Sequence, residues 1–252
     1  RADGTFPQGS TAYEKRGVAV MVPVWHEENC IQCNQCSFVC PHATIRPFAL
    51  NAEEAAKAHA QTRYTAKMIG KGCEDLKFTI AISPLGCTLC VKTCPTKPEK
   101  RALEMVLQDT QLDQQEVFDY AVKNVSKKDL PFAESTIKGS QFKQPLLEFS
   151  GACAGCAEPT YARLITQLFG ERMIVSNATG CSSIWGGSAP ATPYTVNHES
   201  GRGPAWANSL FEDNAEHGLG IHLGQKAIRE RLIGYVKELA EIATDADKKA
   251  II

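Results

Sequence analysis

The feature that most constrains this chain is a run of four closely spaced cysteines followed by proline, from Cys30 to Pro41. Its spacing, C-x2-C-x2-C-x3-C-P, is typical of thiolate ligands to [4Fe–4S] clusters. In this pattern the first three thiolates hold one cluster and the fourth binds a different one. The run therefore predicts a partner motif elsewhere in the chain.

A shorter copy of the motif lies between Cys87 and Pro95. If each copy supplies the cysteine that the other lacks, the seven thiolates fall into two sets. We assign to the first site Cys30, Cys33, Cys36 and Cys94, and to the second site Cys40, Cys87 and Cys90. Structural zinc also uses C-x2-C pairs, but it requires neither the three-cysteine run nor the exchange of ligands.

The second motif is incomplete. A full copy would have a cysteine three residues before Cys87, and that position is Pro84. The second site could therefore hold a [3Fe–4S] cluster, recruit Cys73 from the preceding loop, or be lost. We expect an altered site, because a lone loop cysteine is more often a small packed side chain.

A third group of cysteines comprises Cys153, Cys156 and Cys181. The pattern is a C-x2-C pair with a distant cysteine on a glycine-rich turn, which also occurs in redox disulfides and zinc sites. We interpret it as a further cluster site whose fourth ligand lies beyond residue 252.

Composition narrows the function classes. The 252 residues carry a net charge of -1, which gives no support for nucleic-acid binding. No apolar run approaches the ~20 residues of a membrane span, and no export signal is visible. Eleven cysteines in tight groups then indicate metal ligation in the cytoplasm. The chain begins at Arg1 rather than Met, so we expect a piece of a longer polypeptide.

Periodicity predicts the elements of the first half. Alternating apolar residues predict strands at 17–25 and 77–83, each leading into a cysteine motif. Asn51 is predicted to cap a helix that ends before Gly70, and a second helix is predicted at 111–125. This internal repeat predicts an α+β, two-[4Fe–4S] ferredoxin-like domain over 1–125.

The second half of the chain differs from the first in its composition and in its predicted elements. Residues 126–148 are rich in Lys, Ser, Pro and Gly and are predicted to form a linker. Beyond them a helix ending at Gly170, a strand at 173–175 and a turn of small residues predict part of an α/β domain over 149–252. Its last part is predicted as two helices broken near Gly218.

Several long stretches resemble one family, the pyruvate:ferredoxin (flavodoxin) oxidoreductases. The similar stretches are 3–7, 13–17, 30–47, 150–158, 168–172, 177–185 and 203–216. Together they cover both ends of the chain and are far more specific than a cysteine motif alone.

The resemblance implies an internal fragment of a large, dimeric, cytoplasmic enzyme of anaerobic metabolism. Such an enzyme decarboxylates pyruvate on thiamine diphosphate with Mg²⁺, transfers the acetyl group to coenzyme A, and passes electrons through up to three [4Fe–4S] clusters to ferredoxin or flavodoxin. It also implies that 149–252 is part of the thiamine diphosphate-binding α/β domain. There Cys153, Cys156 and Cys181 match ligands of the proximal cluster, while Glu158 and Cys181 match positions that contact thiamine diphosphate.

The chain departs from the family pattern at Ala157 and Pro159, where the family has C-G-E-T-P, and it lacks the G-D-G motif that binds magnesium diphosphate. We therefore expect no catalytic residue here and no turnover of pyruvate by this chain alone. Two alternatives stay open: a self-contained iron–sulfur electron-transfer module, and an oxidoreductase for another 2-oxoacid.

Overall fold

The computed structural model describes residues 7–188, 191–244 and 247. The similar stretch at 3–7 thus lies outside the described residues except for Pro7. The chain forms two compact units. The first unit comprises residues 1–173 and 184–205, and the second comprises 174–183 and 206–252.

Four strands of the first unit form two antiparallel pairs. Strand β1 (Met21–Trp25) pairs with β4 (Leu103–Leu107), and β2 (Ile45–Leu50) pairs with β3 (Lys77–Ile82). Each pair therefore joins a strand from one half of the repeat to a strand from the other. This pairing brings the two cysteine motifs together at the end of the sheets.

Each cysteine motif has the same local fold. A residue with positive φ, Asn34 in the first motif and Thr88 in the second, begins a short helix. These helices are α1 (Gln35–Phe38) and α3 (Leu89–Thr93), and each is followed by the Cys-Pro step. The repeat predicted from the sequence is thus present in the structure, as a mixed arrangement of α and β elements.

The structure corrects the strand predictions. The first strand begins at Met21 rather than at residue 17, and Val18 and Val20 are exposed. Strands β2 and β4 were not predicted. In β2, Arg46 and Pro47 interrupt the apolar alternation, and β4 is short. The strand predicted at 77–83 is present as β3.

The helix predicted after Asn51 is capped as expected but much shorter. Helix α2 (Ala52–Lys57) has a full capping box between Asn51 and Glu54 and ends long before Gly70. The helix predicted at 111–125 is α4 (Gln114–Asn124).

The segment predicted as a linker, 126–148, packs closely on the first unit. It contains a short helix α5 (Ile137–Ser140), and its Phe132 and Phe142 rings stack with centroids 5.9 Å apart. Phe142 also meets Phe78 of β3 edge to face. The predicted division into 1–125, 126–148 and 149–252 is based on sequence composition, whereas the two compact units are defined by packing. The division therefore stays a prediction.

Helix α6 (Glu158–Phe169) is present as predicted, but its apolar face does not form the core. Tyr161 and Phe169 are 69% and 59% exposed, whereas Arg163, Thr166 and Gln167 are buried. A polar face can be buried here because its side chains form hydrogen bonds with one another and with the neighbouring segment of the chain.

The second unit is built on one small sheet and one long helix. Strands β5 (Ile174–Asn177) and β6 (Ala205–Asn208) pair, and β5 contacts α8 (Asn214–Ile242). The predicted break near Gly218 is wrong, since α8 continues through it. A single-turn helix α7 (Cys181–Ser183) follows the small-residue turn and continues as a π-helical turn, Ile184–Ser188.

Short 3-10 turns complete the architecture, at Ser10–Tyr13, Glu27–Asn29, Pro98–Lys100, Gln108–Gln111 and Gly170–Arg172. None of the described helices has both the length and the apolar character needed to span a membrane.

Candidate iron–sulfur sites

The four cysteines assigned to the first site surround one cavity. Cys94, from the second motif, lines it together with the three thiols of the first motif. Its remaining walls are mostly apolar and come from both halves of the repeat: Trp25, Ile31, Asn34, Ile80, Pro95, Thr96, Ala102 and Leu103. The structure thus brings the distant Cys94 into the same cavity as the three thiols of the first motif.

Backbone geometry in the first motif directs amide groups toward sulfur. Gln32 and Asn34 both have positive φ, 57° and 62°, which turns the chain sharply between successive cysteines. The Gln32 N–H donates to Cys30 Sγ at 3.4 Å. Buried Gln32 fixes this loop through its side-chain amide, which donates to the Lys67 carbonyl at 3.0 Å. Such N–H donors stabilise anionic sulfur.

Burial raises the pKa values of Cys36 in the first site and Cys90 in the second. For Cys36 burial raises the pKa well above its ordinary value, and nearby Cys90, Cys30 and Cys33 raise it further. Burial, together with Cys40 and Cys87, raises the pKa of Cys90 to about 12. Without iron these thiols hold their protons, so a metal that binds them must displace protons.

In the second site, neighbouring cysteines affect the pKa values of Cys87 and Cys90. Cys40 and Cys87 both raise the pKa of Cys90, and Cys40 raises that of Cys87, after burial in each case. The structure thus gathers Cys40 from the first motif with two thiols of the second.

The position equivalent to Cys30 in the second motif is occupied by Pro84. Pro84 is buried, and its carbonyl accepts a hydrogen bond from the Gln108 side chain at 2.8 Å. Cys73 is fully buried in the hydrophobic core, and the charged groups that affect its pKa are Lys138 and Glu74.

Two threonines that the sequence analysis missed contact the exchanged cysteines. Thr44 Oγ1 lies 3.4 Å from Cys40 Sγ, and Thr96 Oγ1 lies 3.2 Å from Cys94 Sγ. Thr96 Oγ1 also accepts a hydrogen bond from the Ala102 N–H. Each threonine lies within four residues after the cysteine of a Cys-Pro step, and this spacing is the sequence signal from which the contacts could have been predicted.

The third group is divided between the two units. Cys153 and Cys156 share one loop in the first unit, where the Cys156 N–H donates to the Cys153 carbonyl at 3.0 Å. The Gly155 amide of this loop is directed toward Cys87 of the second site. Cys181 begins α7 in the second unit and is exposed, as is Glu158 at the start of α6 in the first.

All eleven cysteines are among the described residues, and none forms a disulfide. Within those residues, no group of three or more Cys, His, Asp or Glu side chains is arranged to hold a metal ion. A [4Fe–4S] core is much larger than one ion, so its thiolates line a cavity rather than converge on a point. The cavity of the first site fits that description.

Comparison with known proteins identifies relatives over nearly the whole chain. Residues 23–46 match the family model of the 4Fe-4S binding domain. The chain is 56% identical over 233 residues to pyruvate-flavodoxin oxidoreductase of Klebsiella pneumoniae, covering 91% of this chain and 19% of that protein. It is 52% identical over 252 residues to pyruvate:ferredoxin oxidoreductase of Moorella thermoacetica, covering 98% and 21%.

A third relative, pyruvate dehydrogenase [NADP(+)] of Cryptosporidium parvum, is 50% identical over 90% of this chain and 12% of its own length. The resemblance noted from the sequence is therefore confirmed: the chain corresponds to one segment of these oxidoreductases. It spans about a fifth of the length of the first two relatives.

Proposed function

We propose that this chain is the electron-transfer segment of a pyruvate:ferredoxin or pyruvate:flavodoxin oxidoreductase, with CoA-dependent oxidative decarboxylation of pyruvate as the activity of the whole enzyme. The observation that carries the proposal is the placement of Cys94 in the cavity of Cys30, Cys33 and Cys36. Each cluster, when bound, takes up and releases single electrons. Ferredoxin or flavodoxin is the proposed acceptor, in the cytoplasm.

The residues of the chain bind, orient and shield the clusters. Cysteine thiolates are the soft anionic ligands that iron–sulfur cores require. The walls of the first cavity, among them Trp25, Ile80 and Leu103, keep water from the sulfurs. The N–H of Gln32 donates to Cys30 Sγ, and the hydroxyls of Thr44 and Thr96, which lie within hydrogen-bond distance of Cys40 and Cys94, would donate to these sulfurs once they are thiolate ligands.

The remaining predicted site residues belong to the same proposal. Cys153, Cys156 and Cys181 would hold the proximal cluster, and Glu158 and Cys181 would contact thiamine diphosphate with its Mg²⁺. The support for them is the resemblance of 150–158 and 177–185 to the family, together with the 52% identity to the Moorella thermoacetica enzyme over 98% of this chain. The homodimeric state of the whole enzyme and its use of coenzyme A rest on the same similarity.

Anaerobic reconstitution of the chain, followed by an iron and acid-labile sulfide count, tests the proposal. About eight irons with matching sulfide would mean that both ferredoxin-type clusters form, and about seven that the Pro84 site holds a three-iron cluster. About twelve would add the third group. A colourless protein that binds zinc and no sulfide would refute the proposal.

The exchange of ligands predicts a crossed effect of two substitutions. Cys94→Ser, although in the second motif, should remove the cluster of the first site, and Cys40→Ser should remove that of the second. Electron paramagnetic resonance of the reduced variants distinguishes the two clusters. Cys73→Ala, which replaces a cysteine of the hydrophobic core, is the control and should leave both clusters.

If Cys94→Ser and Cys40→Ser instead remove the clusters of their own motifs, the ligand assignment is wrong although the chain still binds clusters.

A further inference from the structure

Arg163 is a buried cation that the cluster ligation does not use. It lies on the inner face of α6 with only 1% of its surface exposed. Its guanidinium donates to the side-chain oxygens of Gln141, at 2.9 Å, and Gln167, at 2.6 Å. The third partner is the carbonyl of Phe38, at 2.5 Å. All three partners are neutral.

A buried charge normally requires an opposite charge. Removing an arginine from water without a counter-ion is strongly unfavourable, so buried arginines are usually paired with carboxylates. Among the described residues no carboxylate lies within salt-bridge distance of Arg163, and its Nε–H has no acceptor. Nearby Arg46 has its own carboxylate, Glu148. Arg163 therefore lacks both a counter-charge and one hydrogen-bond acceptor.

The backbone that α6 contacts leads directly to Cys40, a thiol of the second site. Arg163 binds the Phe38 carbonyl, and Thr160, one turn earlier on α6, donates to the Val39 carbonyl at 3.3 Å. These two carbonyls directly precede Cys40. Burial lowers the pKa of Arg163 to about 10, and Cys40 acts against that shift. Arg163 is thus charged at neutral pH and lies beside a cluster ligand.

We propose that the counter-charge of Arg163 is the anionic cluster of the second site, and that Arg163 is a positioning residue that raises the reduction potential of that cluster. The inference rests on the proposed function, since it requires a cluster on Cys40, Cys87 and Cys90. Reduction adds one negative charge, and a fixed neighbouring cation stabilises the reduced form more than the oxidised form. Net charge around a cluster is one of the determinants of its potential.

Redox titration of the reconstituted chain, followed by electron paramagnetic resonance, tests the inference. Arg163→Gln should shift the second cluster to lower potential by a tenfold change in its reduction equilibrium, which for one electron is about 59 mV. The first cluster, held by Cys30, Cys33, Cys36 and Cys94, should shift less and serves as an internal reference. An unchanged second potential in a fully loaded variant would overturn the inference.

Thr160→Val is the matched control. It removes the neighbouring hydrogen bond to the same segment but keeps the charge. A purely structural role of the α6 contact predicts that Thr160→Val and Arg163→Gln shift the potential alike. An electrostatic role predicts that only Arg163→Gln does so.

A second variant covers the case in which Arg163→Gln does not load its cluster. Arg163→Lys keeps the positive charge and loses the branched hydrogen bonding. It should load the second cluster and keep its potential near that of the unsubstituted chain; a tenfold shift in this variant would overturn the inference. Failure of the unsubstituted chain to bind any cluster would instead refute the proposed function.

Discussion

At the scale of single residues, Glu54 shows how one side chain can serve two elements. Its carboxylate accepts from the Asn51 N–H and completes the capping box of α2. The same carboxylate accepts two hydrogen bonds from Lys128 Nζ, at 2.7 and 2.8 Å, and one from the Ser126 N–H. Glu54 therefore ties the segment after α4 to the start of α2.

These contacts make the stability of the chain depend on pH. Burial alone would raise the pKa of Glu54, but hydrogen bonds from Lys128, Asn51 and Ser126 prevail and lower it from 4.5 to about 2. A carboxyl with a depressed pKa in the folded state stabilises the fold above its unfolded pKa, and that stabilisation is lost as pH falls toward the folded value.

Glu54→Gln should therefore reduce the free energy of unfolding at pH 7 by about 1–2 kcal/mol, an amount discounted for solvent screening. It should also flatten the stability profile between pH 4.5 and about 2, where the carboxylate of the parent chain becomes protonated. Urea unfolding across this range measures both effects.

Glu53→Gln is the matched control. Glu53 is exposed and pairs only with Lys57 one turn along α2, so its loss should cost less than about 0.5 kcal/mol. Equal effects of the two substitutions, or an unchanged pH profile in Glu54→Gln, would contradict the prediction.

Residue by residue, the sequence predicts those features that depend on short spacing. The cysteine motifs and the cap at Asn51 are local patterns, and the structure has the local geometry they predict. The roles of Lys128 and Arg163 depend on partners 74 and 125 residues away. No local pattern distinguishes these two cations from solvated ones.

At the scale of elements, the second cysteine motif is held against β1 by a close backbone contact. Gly86 precedes Cys87, and a Cβ built on it would lie 2.3 Å from the Met21 carbonyl oxygen and 3.2 Å from Val22 Cα. Only glycine permits this approach, because the obstructing atoms are backbone.

Gly86→Ala should therefore displace the motif from β1. We expect a loss of about 1–3 kcal/mol in the free energy of unfolding, as for other overpacked sites, and reduced iron content at the second site. Gly151→Ala is the control, since nothing lies within 4 Å of its added Cβ. Parent-like stability and iron content in Gly86→Ala would contradict this account of the contact.

Element predictions fail where tertiary contacts override the pattern. Strand β2 contains Arg46 and Pro47, which obscure its alternation, yet it is buried against β3. Helix α6 was predicted from its apolar positions, but its hydrogen-bonded polar face is the buried one. Glycine at 218 suggested a break that α8 does not have.

At the scale of the whole molecule, the two halves of the repeat are interlocked rather than side by side. Each sheet pairs strands from both halves, and helices α1 and α3 contact one another. The sequence predicted the exchange of cysteines from spacing alone, but not the exchange of strands, because β2 and β4 were missed.

Interlocking places the two proposed clusters close together. Cys90 of the second site lies near enough to Cys36 of the first that it raises the pKa of Cys36, after the effect of burial. Two paramagnetic clusters on such ligands should interact magnetically. The fully reduced chain should therefore give a broadened, split electron paramagnetic resonance spectrum, and Cys94→Ser, which removes one cluster, should give the simple spectrum of the other. A parent spectrum equal to the sum of two isolated clusters would show that the sites are further apart than the thiols indicate.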